Sequence, residues 1–136
     1  MVTERVTVQI ESSVEAKRLW NALVVDGHNL LAKQLPEICS GVTFLHGDGG
    51  VGSIKQINFS TTANRPGSSY VRERVDELDE DNFVYRFSHV KGGELVNKLV
   101  AAQFQLKITR KAEGGCVVTH SCDYETHPAL PHDQRQ

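Results

Sequence analysis

The segment 46–59 carries the residue types best suited to chemistry. Within six positions of this segment lie four glycines: Gly47, Gly49, Gly50 and Gly52. Glycine permits positive φ and close backbone approach, so the bare N–H groups of such a loop can cradle a phosphate. A nucleotide-binding loop, however, requires Gly-Lys-Ser/Thr followed by a helix, whereas Ser53 and Ile54 follow the last glycine and begin a strand-like alternation. The pattern therefore favours a glycine-rich hairpin loop.

Cysteine and histidine spacing indicates no metal site. The three cysteines, Cys39, Cys116 and Cys122, are an odd number without metal-ligand spacing, which favours small buried thiols in a reducing compartment. The six histidines also form no metal motif; His127 and His132 are five apart in a proline-containing segment, which is a weak signal. We therefore expect no metal and no cofactor.

Length and charge exclude several classes of partner. A chain of 136 residues with 39% hydrophobic and 24% charged residues fits one globular domain. A net charge of −2 provides no basic field for nucleic acid or anionic lipid. No apolar run approaches the roughly 20 residues that span a bilayer, and the alternating first residues lack the apolar core of a signal peptide. We expect no membrane insertion and a cytoplasmic location.

Apolar periodicity supplies the elements that position these residues. Helical spacing predicts a helix over 16–25, with Ser13 as its N-cap, and a second short helix over 28–35 that ends before Pro36. Alternation predicts strands over 2–10, 42–46, 54–60, 70–78, 83–90, 102–108 and 116–125. Turns are predicted at 64–67, 79–82, 91–93 and 113–115. One strand, a helical elbow and a long meander follow in that order.

Four motifs resemble a known family. They are Leu23-Val-Val-Asp-Gly-His-Asn-Leu30, the glycine loop with Lys55, Tyr70-Val-Arg-Glu-Arg-Val-Asp-Glu-Leu-Asp79, and Lys91-Gly-Gly93. In type and order they resemble the plant pathogenesis-related class ten family, also called the major birch pollen allergen family, of the START-like superfamily. The resemblance covers about residues 3 to 125.

The resemblance implies an α+β helix-grip fold. This fold is a curved seven-stranded antiparallel sheet with two short helices in an elbow, which grips a long C-terminal helix around a large cavity. Residues 1–126 would form a single ligand-binding domain, and 127–136 a polar, proline-containing tail where that last helix would begin. The expectation is that the long helix is missing and the concave face uncovered. Relatives are expected to be monomers, and self-association through this face is the alternative.

Strand parity and the resemblance together assign the cavity wall. Apolar side chains with a few phenols, a lysine and a histidine suit a small-molecule pocket. The expected lining residues are Leu23, His28, Leu31, Lys55, Ile57, Phe59, Tyr70, Tyr85, Phe87, Ala102, Phe104, Leu106 and Ile108. Arg72 and Arg74 share the phase of Tyr70 and either enter a polar cavity end or pair with acidic neighbours outside; the second arrangement is favoured.

The resemblance leaves three functions open. The favoured one is a non-catalytic binding or carrier protein for small apolar or aromatic plant metabolites or hormones, cytokinin-, flavonoid- or sterol-like, in defence or stress. The alternative is a condensing or isomerising enzyme similar to norcoclaurine synthases, with Lys55 or Tyr70 moving protons. That family's inner acid and catalytic lysine are not matched, because Phe104 and Tyr85 or Arg86 stand there. A ribonuclease is the least favoured, and no catalytic residue is assigned.

Overall fold

The computed structural model describes residues 2–60, 69–92 and 99–126 of an α+β protein. The helices are α1 (Ala16–Trp20) and α2 (Gly27–Gln34), joined by a π-helical turn, Asn21–Val25. The strands are β1 (Val2–Ser12), β2 (Cys39–His46), β3 (Ile54–Phe59), β4 (Tyr70–Asp79), β5 (Val84–Gly92), β6 (Leu99–Arg110) and β7 (Cys116–Thr126). They form one antiparallel seven-stranded sheet in the order β1-β7-β6-β5-β4-β3-β2. The predicted helix-grip sheet and elbow are confirmed.

The elbow begins and bends at residues that the periodicity did not identify. Glu15, and not Ser13, caps α1: its carboxylate accepts from the Lys17 N–H at 2.9 Å. The predicted helix over 16–25 is α-helical only to Trp20 and then widens into the π-helical turn, where the Asp26 N–H donates to the Asn21 carbonyl at 2.8 Å. A Ser-type cap is the common choice, but the Glu15 carboxylate, two residues after Ser13, satisfies an unpaired N–H group of the first turn.

The core lies on the concave face, which we define as the sheet face that packs against α1. Its centre is the indole of Trp20, 2% exposed, with the Phe83 ring at 5.5 Å between centroids. Ile108 of β6 and Val75 of β4 belong to the same buried cluster. The Asp79 carboxylate organises the turn before Phe83 by accepting from the backbone N–H of Asn82 at 3.1 Å. Phe83 adopts a φ of 55°, which turns its ring into the core.

Three predicted features lie outside the described residues. They are the turn at 64–67, the end of the turn at 91–93, and the tail 127–136 with the expected absence of the last helix. In the described part of the chain, no helix is long and apolar enough to cross a membrane.

Candidate functional site

Two backbone N–H groups of the glycine loop donate hydrogen bonds to acceptors within the protein. The Gly49 N–H donates to the Ser53 hydroxyl at 2.9 Å, and the Gly52 N–H donates to the Val75 carbonyl at 2.8 Å. The positive φ values of Gly47, Gly49 and Gly52 allow this path, and a Cβ at Gly47 would collide with the Ser53 hydroxyl. Because these donors already have internal acceptors, the loop is a structural hairpin that ties β3 to β4.

An apolar cavity of about 450 Å³ lies between the elbow and the concave face. Its size falls within the range of small-molecule sites. Leucines of the π-helical turn and α2 form one wall, and residues of the strands β2 to β7 form the other. Its lining residues are Ala22, Leu23, Gly27, His28, Leu30, Leu31, Gln34, Leu35, Val42, Lys55, Ile57, Glu73, Tyr85, Phe87, Leu106 and His120.

Several titratable side chains lie close together in the sheet wall of the cavity. The Lys55 ammonium lies 5.5 Å from the centroid of the Tyr85 ring, and Lys55 stands opposite Glu73 in the β3–β4 register. The Glu73 carboxylate, largely buried, is 3.4 Å from His89 Nε2. A neighbouring cavity of about 190 Å³ beside the glycine loop shares His28, Lys55 and Tyr85 with the main one. Lys55 and Tyr85 therefore border both spaces.

Burial controls the protonation of the Tyr85 phenol. Tyr85 belongs to the buried core cluster, and desolvation raises its pKa above the ordinary value of 10.0. The Lys55 charge and hydrogen bond act in the opposite direction and only partly offset this effect. The phenol stays neutral at physiological pH and can donate a hydrogen bond into the cavity.

The structure brings together eight of the predicted lining residues. Leu23, His28 and Leu31 lie on the elbow side, and the remaining five project from the sheet. His28 packs edge-on against Phe44, with 5.0 Å between ring centroids. The sheet residues are Lys55, Ile57, Tyr85, Phe87 and Leu106.

The other five predicted residues lie outside this lining. Phe104 stacks on Phe87, with 4.9 Å between ring centroids, and is not itself part of the lining. Ala102 and Ile108 face the same way along β6 but are fully buried, 1% and 2% exposed, so packing leaves a ligand no room there. Phe59 ends β3 opposite Cys39 and does not line either cavity.

Tyr70 is a correction, because it lies on the outer face of the sheet. Along β4, Val71, Glu73 and Val75 are the buried positions, so the residues between them face outward. The Arg72 guanidinium lies 5.2 Å from the Tyr70 ring centroid and bonds Gln56 at 2.9 Å. Outside the sheet, too, Arg74 Nε donates to the Asp76 carboxylate at 2.7 Å. The favoured placement of both arginines outside is the one observed.

Sequence reasoning missed three polar residues of the concave face. Glu73 is absent from the predicted lining, although the valines on either side of it mark its phase as inward. His89 continues the phase of Tyr85 and Phe87, and its ring lies 4.4 Å from that of Phe104. His120 stands opposite Leu106 in β7 and lines the cavity. Alternation was a sufficient signal for all three.

The described residues contain no cluster of three histidine, cysteine or acidic side chains arranged to hold a metal ion. Glu73 and His89 are two neighbouring residues of suitable type. The residue opposite Glu73 on the neighbouring strand is Lys55, which is not a third metal ligand. The arrangement suits hydrogen bonding and proton transfer at the end of an apolar cavity.

Comparison with known proteins decides the family. The family model described as "Pathogenesis-related protein Bet v 1 family" matches residues 1–135. This chain belongs to the Bet v 1 family. Among its Bet v 1 relatives, the major pollen allergen Bet v 1-M/N of Betula pendula is 39% identical over 117 residues, which cover 85% of this chain and 70% of the relative. The strawberry allergen Fra a 1.08 of Fragaria ananassa is 32% identical, with 85% and 71% covered.

Solved structures agree with the Bet v 1 fold. The crystal structure of Ara h 8.0201 superimposes with a TM-score of 0.81 at 26% identity, covering 99% of this chain and 87% of that one. Norcoclaurine synthase from Thalictrum flavum reaches 0.79 at 21% identity, covering 93% of this chain and 72% of the synthase. At that identity the second likeness concerns the fold alone.

Proposed function

We propose that this Bet v 1 family chain is a non-catalytic carrier or sensor that holds a small apolar or aromatic plant metabolite in the concave cavity. The observation that carries the proposal is the cavity of about 450 Å³ between the elbow and the sheet, with its leucine wall. Burial of ligand surface would supply affinity at about 25 cal/mol per Å², less the cost of immobilising the ligand.

The polar end of the cavity would orient the ligand. Lys55 and the neutral Tyr85 phenol can donate hydrogen bonds, and the Glu73 carboxylate can accept them. Flat molecules with one polar edge, such as cytokinin-, flavonoid- or sterol-like metabolites, fit this division between apolar wall and polar end. A role in defence or stress is proposed from membership of the pathogenesis-related family.

A cytoplasmic location is part of the proposal. Cys39 and Cys116 are buried free thiols and Cys122 is a half-buried one. Free thiols are typical of proteins that fold in a reducing compartment.

A dye titration tests the carrier function. An environment-sensitive naphthalene sulfonate dye is added to the purified chain, and a cytokinin is then used to displace it. We expect saturable fluorescence that the competitor reverses. Ile57→Trp fills the cavity from β3 and is expected to weaken dye binding about tenfold or more. Leu45→Trp, an equally bulky change at an exposed position of β2 outside the cavity, is the control and should leave binding unchanged.

Absence of saturable binding would overturn the carrier proposal. Equal binding by the wild type and Ile57→Trp would also overturn it, because the dye would then occupy another apolar surface. Folding of each variant is checked by circular dichroism before titration.

A second candidate is an enzyme that condenses an amine with an aldehyde. The observation in its favour is the position of Lys55 at 5.5 Å from the Tyr85 ring, beside the Glu73–His89 pair, all at one end of an apolar cavity. These groups could exchange protons with a bound substrate. A solved norcoclaurine synthase of the same fold holds dopamine and hydroxybenzaldehyde. Tyr70, the other proton-transfer group expected from the sequence, is on the outer face, so Tyr85 replaces it in this candidate.

Chromatography of the chain incubated with dopamine and hydroxybenzaldehyde tests the enzyme. A condensation product above the uncatalysed background is expected with the wild type and not with Lys55→Met. No product from the wild type rejects the enzyme, and an unchanged rate in Lys55→Met removes Lys55 from its mechanism.

A further inference from the structure

The strand β1 forms one edge of the sheet. It pairs with β7 along its whole length without a register shift, from Val2 opposite Thr126 to Ser12 opposite Cys116. In the described part of the chain, no strand pairs with its other side. Residues 3–11 are all exposed, so both faces of the strand are open to solvent. A long, regular edge of this kind presents a row of backbone N–H and C=O groups to a further strand.

The opposite edge of the sheet, β2, differs from β1 in two respects that matter for pairing. Its register with β3 shifts between Cys39 and Gly41 and again between Phe44 and His46. The helix α2 packs on this strand. Bulges and covering helices are devices that protect an edge from pairing with another chain. β1 has neither, and its sequence contains no proline or lysine.

We propose that two copies of this chain pair antiparallel through β1, about a two-fold axis that passes beside Val8. In this register, Val8 lies opposite its own copy and Val6 lies opposite the partner's Ile10 on the concave face. These three side chains are 49%, 50% and 61% exposed in the order of the chain. Pairing would therefore cover an apolar stripe that packing within the described part of one copy leaves open.

Charge complementarity selects this register. On the outer face it places Arg5, which also bonds Asp123 of its own copy, opposite the partner's Glu11, twice by symmetry. Thr7 then lies opposite the partner's Gln9. Glu11 is highly exposed, and its nearest cation in the described structure, Lys111, is at 3.9 Å. A shift that centres the axis on Thr7 instead would place Glu4 against the partner's Ile10. Opposite charges across strands favour pairing, whereas a carboxylate facing an aliphatic side chain does not.

The pairing uses residues that do not line the ligand cavity. Val6, Val8 and Ile10 are outside its lining, and the part of the wall nearest to them is His120 of β7, which stands opposite Val8. Each copy in the pair would keep its own cavity. This arrangement also differs from face-to-face association through the concave surface, because residues of the outer face of β1 take part.

Sedimentation velocity of the full chain tests the pairing, over concentrations up to about 1 mM, the weak limit of specific association. We expect a concentration-dependent dimer. Val8→Lys places like charges across the axis and should raise the dimer dissociation constant at least about tenfold. Leu45→Lys makes the same change at an exposed position of β2 and should leave the dimer unchanged.

A second pair of variants separates edge pairing from face-to-face association. Glu11→Arg puts two arginines opposite each other on the outer face and should weaken the dimer about threefold or more. Glu113→Arg is the matched control, because Glu113 contacts the same Lys111, at 3.8 Å, from the turn between β6 and β7. A monomer at every concentration overturns the proposal. A dimer whose dissociation constant is unchanged by Val8→Lys also overturns it. So does a dimer that is weakened by Val8→Lys but not by Glu11→Arg.

Discussion

The two ends of the concave face are built differently. Under α1, Trp20, Val75 and Ile108 are each 2% exposed, and aromatic rings fill the space between helix and sheet. Along β1, Val6, Val8 and Ile10 of the same sheet face remain 49%, 50% and 61% exposed. At the covered end, side chains stabilise the fold. At the open end, the fold is stabilised by the backbone hydrogen bonds between β1 and β7, together with exposed ion pairs such as Arg5–Asp123. Apolar alternation alone does not distinguish these two situations.

The largest expected difference concerns truncation of an apolar side chain at each end. Trp20→Ala should lower the free energy of unfolding by about 3–5 kcal/mol, because it removes contacts and leaves a cavity. Ile10→Ala, at a position 61% exposed, should cost less than about 1 kcal/mol. Urea unfolding followed by circular dichroism measures both. Similar costs for the two variants would contradict the distinction between a covered and an open end.

The second prediction concerns the close backbone contact between Gly115 and β1 at the open end. Gly115, in the turn between β6 and β7, has a φ of 76°, and a Cβ there would collide with the Ser12 carbonyl of β1. Gly115→Ala should therefore cost about 3 kcal/mol, through strain and displacement of β1. Gly114 has a φ of 102°, but a Cβ there meets no described atom within 4 Å, so Gly114→Ala should cost only about 1 kcal/mol. Thermal unfolding compares this adjacent pair, and equal losses would argue against a specific anchor at Ser12.

Part of this difference between the covered and the open end can be predicted from the sequence. Alternation located the strands, and it gave Tyr85 and Phe87 a common phase; both line the cavity. The resemblance, however, placed Tyr70 in the cavity against the phase of the buried valines of β4. The depth of each position could not be predicted, because Ala102 and Ile108 share a phase with Leu106 but are sealed by neighbours that are distant in sequence.

The third prediction concerns how stability depends on pH through the Tyr85 phenol, which belongs to the buried core and lines the cavity. Burial raises the pKa of Tyr85 above 10.0, so the neutral form is favoured in the folded state. Its contribution to stability is fully present below the ordinary pKa and is lost as the pH rises through the raised folded value. The free energy of unfolding should therefore fall above about pH 10, and fall less in Tyr85→Phe. Identical alkaline slopes for the two proteins would show that Tyr85 is not desolvated.

The smallest expected effect lies at the open end. The hydrogen bond and charge of Arg5 lower the pKa of the exposed Asp123 carboxyl below 3.8, with Arg5 Nε at 2.6 Å from its oxygen. The resulting stabilisation is present above the ordinary pKa and is lost as the pH falls through the folded value. Because both groups are in solvent, we expect Arg5→Gln to flatten the acid side of a plot of thermal midpoint against pH only slightly. A large change would mean that the open end is less exposed than the structure indicates.

The sequence by itself determined the order of the elements, the glycine hairpin, the family and the two possible phases of each strand, because turn chemistry and period-two alternation are local properties. Only the tertiary structure decided how deeply each inward position of β6 is buried, that Glu73 meets His89, and that β1 stays open while α1 packs over other strands of the sheet. These outcomes depend on contacts between strands far apart in the chain, since the same alternating strand can be buried, line a cavity or face solvent according to what packs on it.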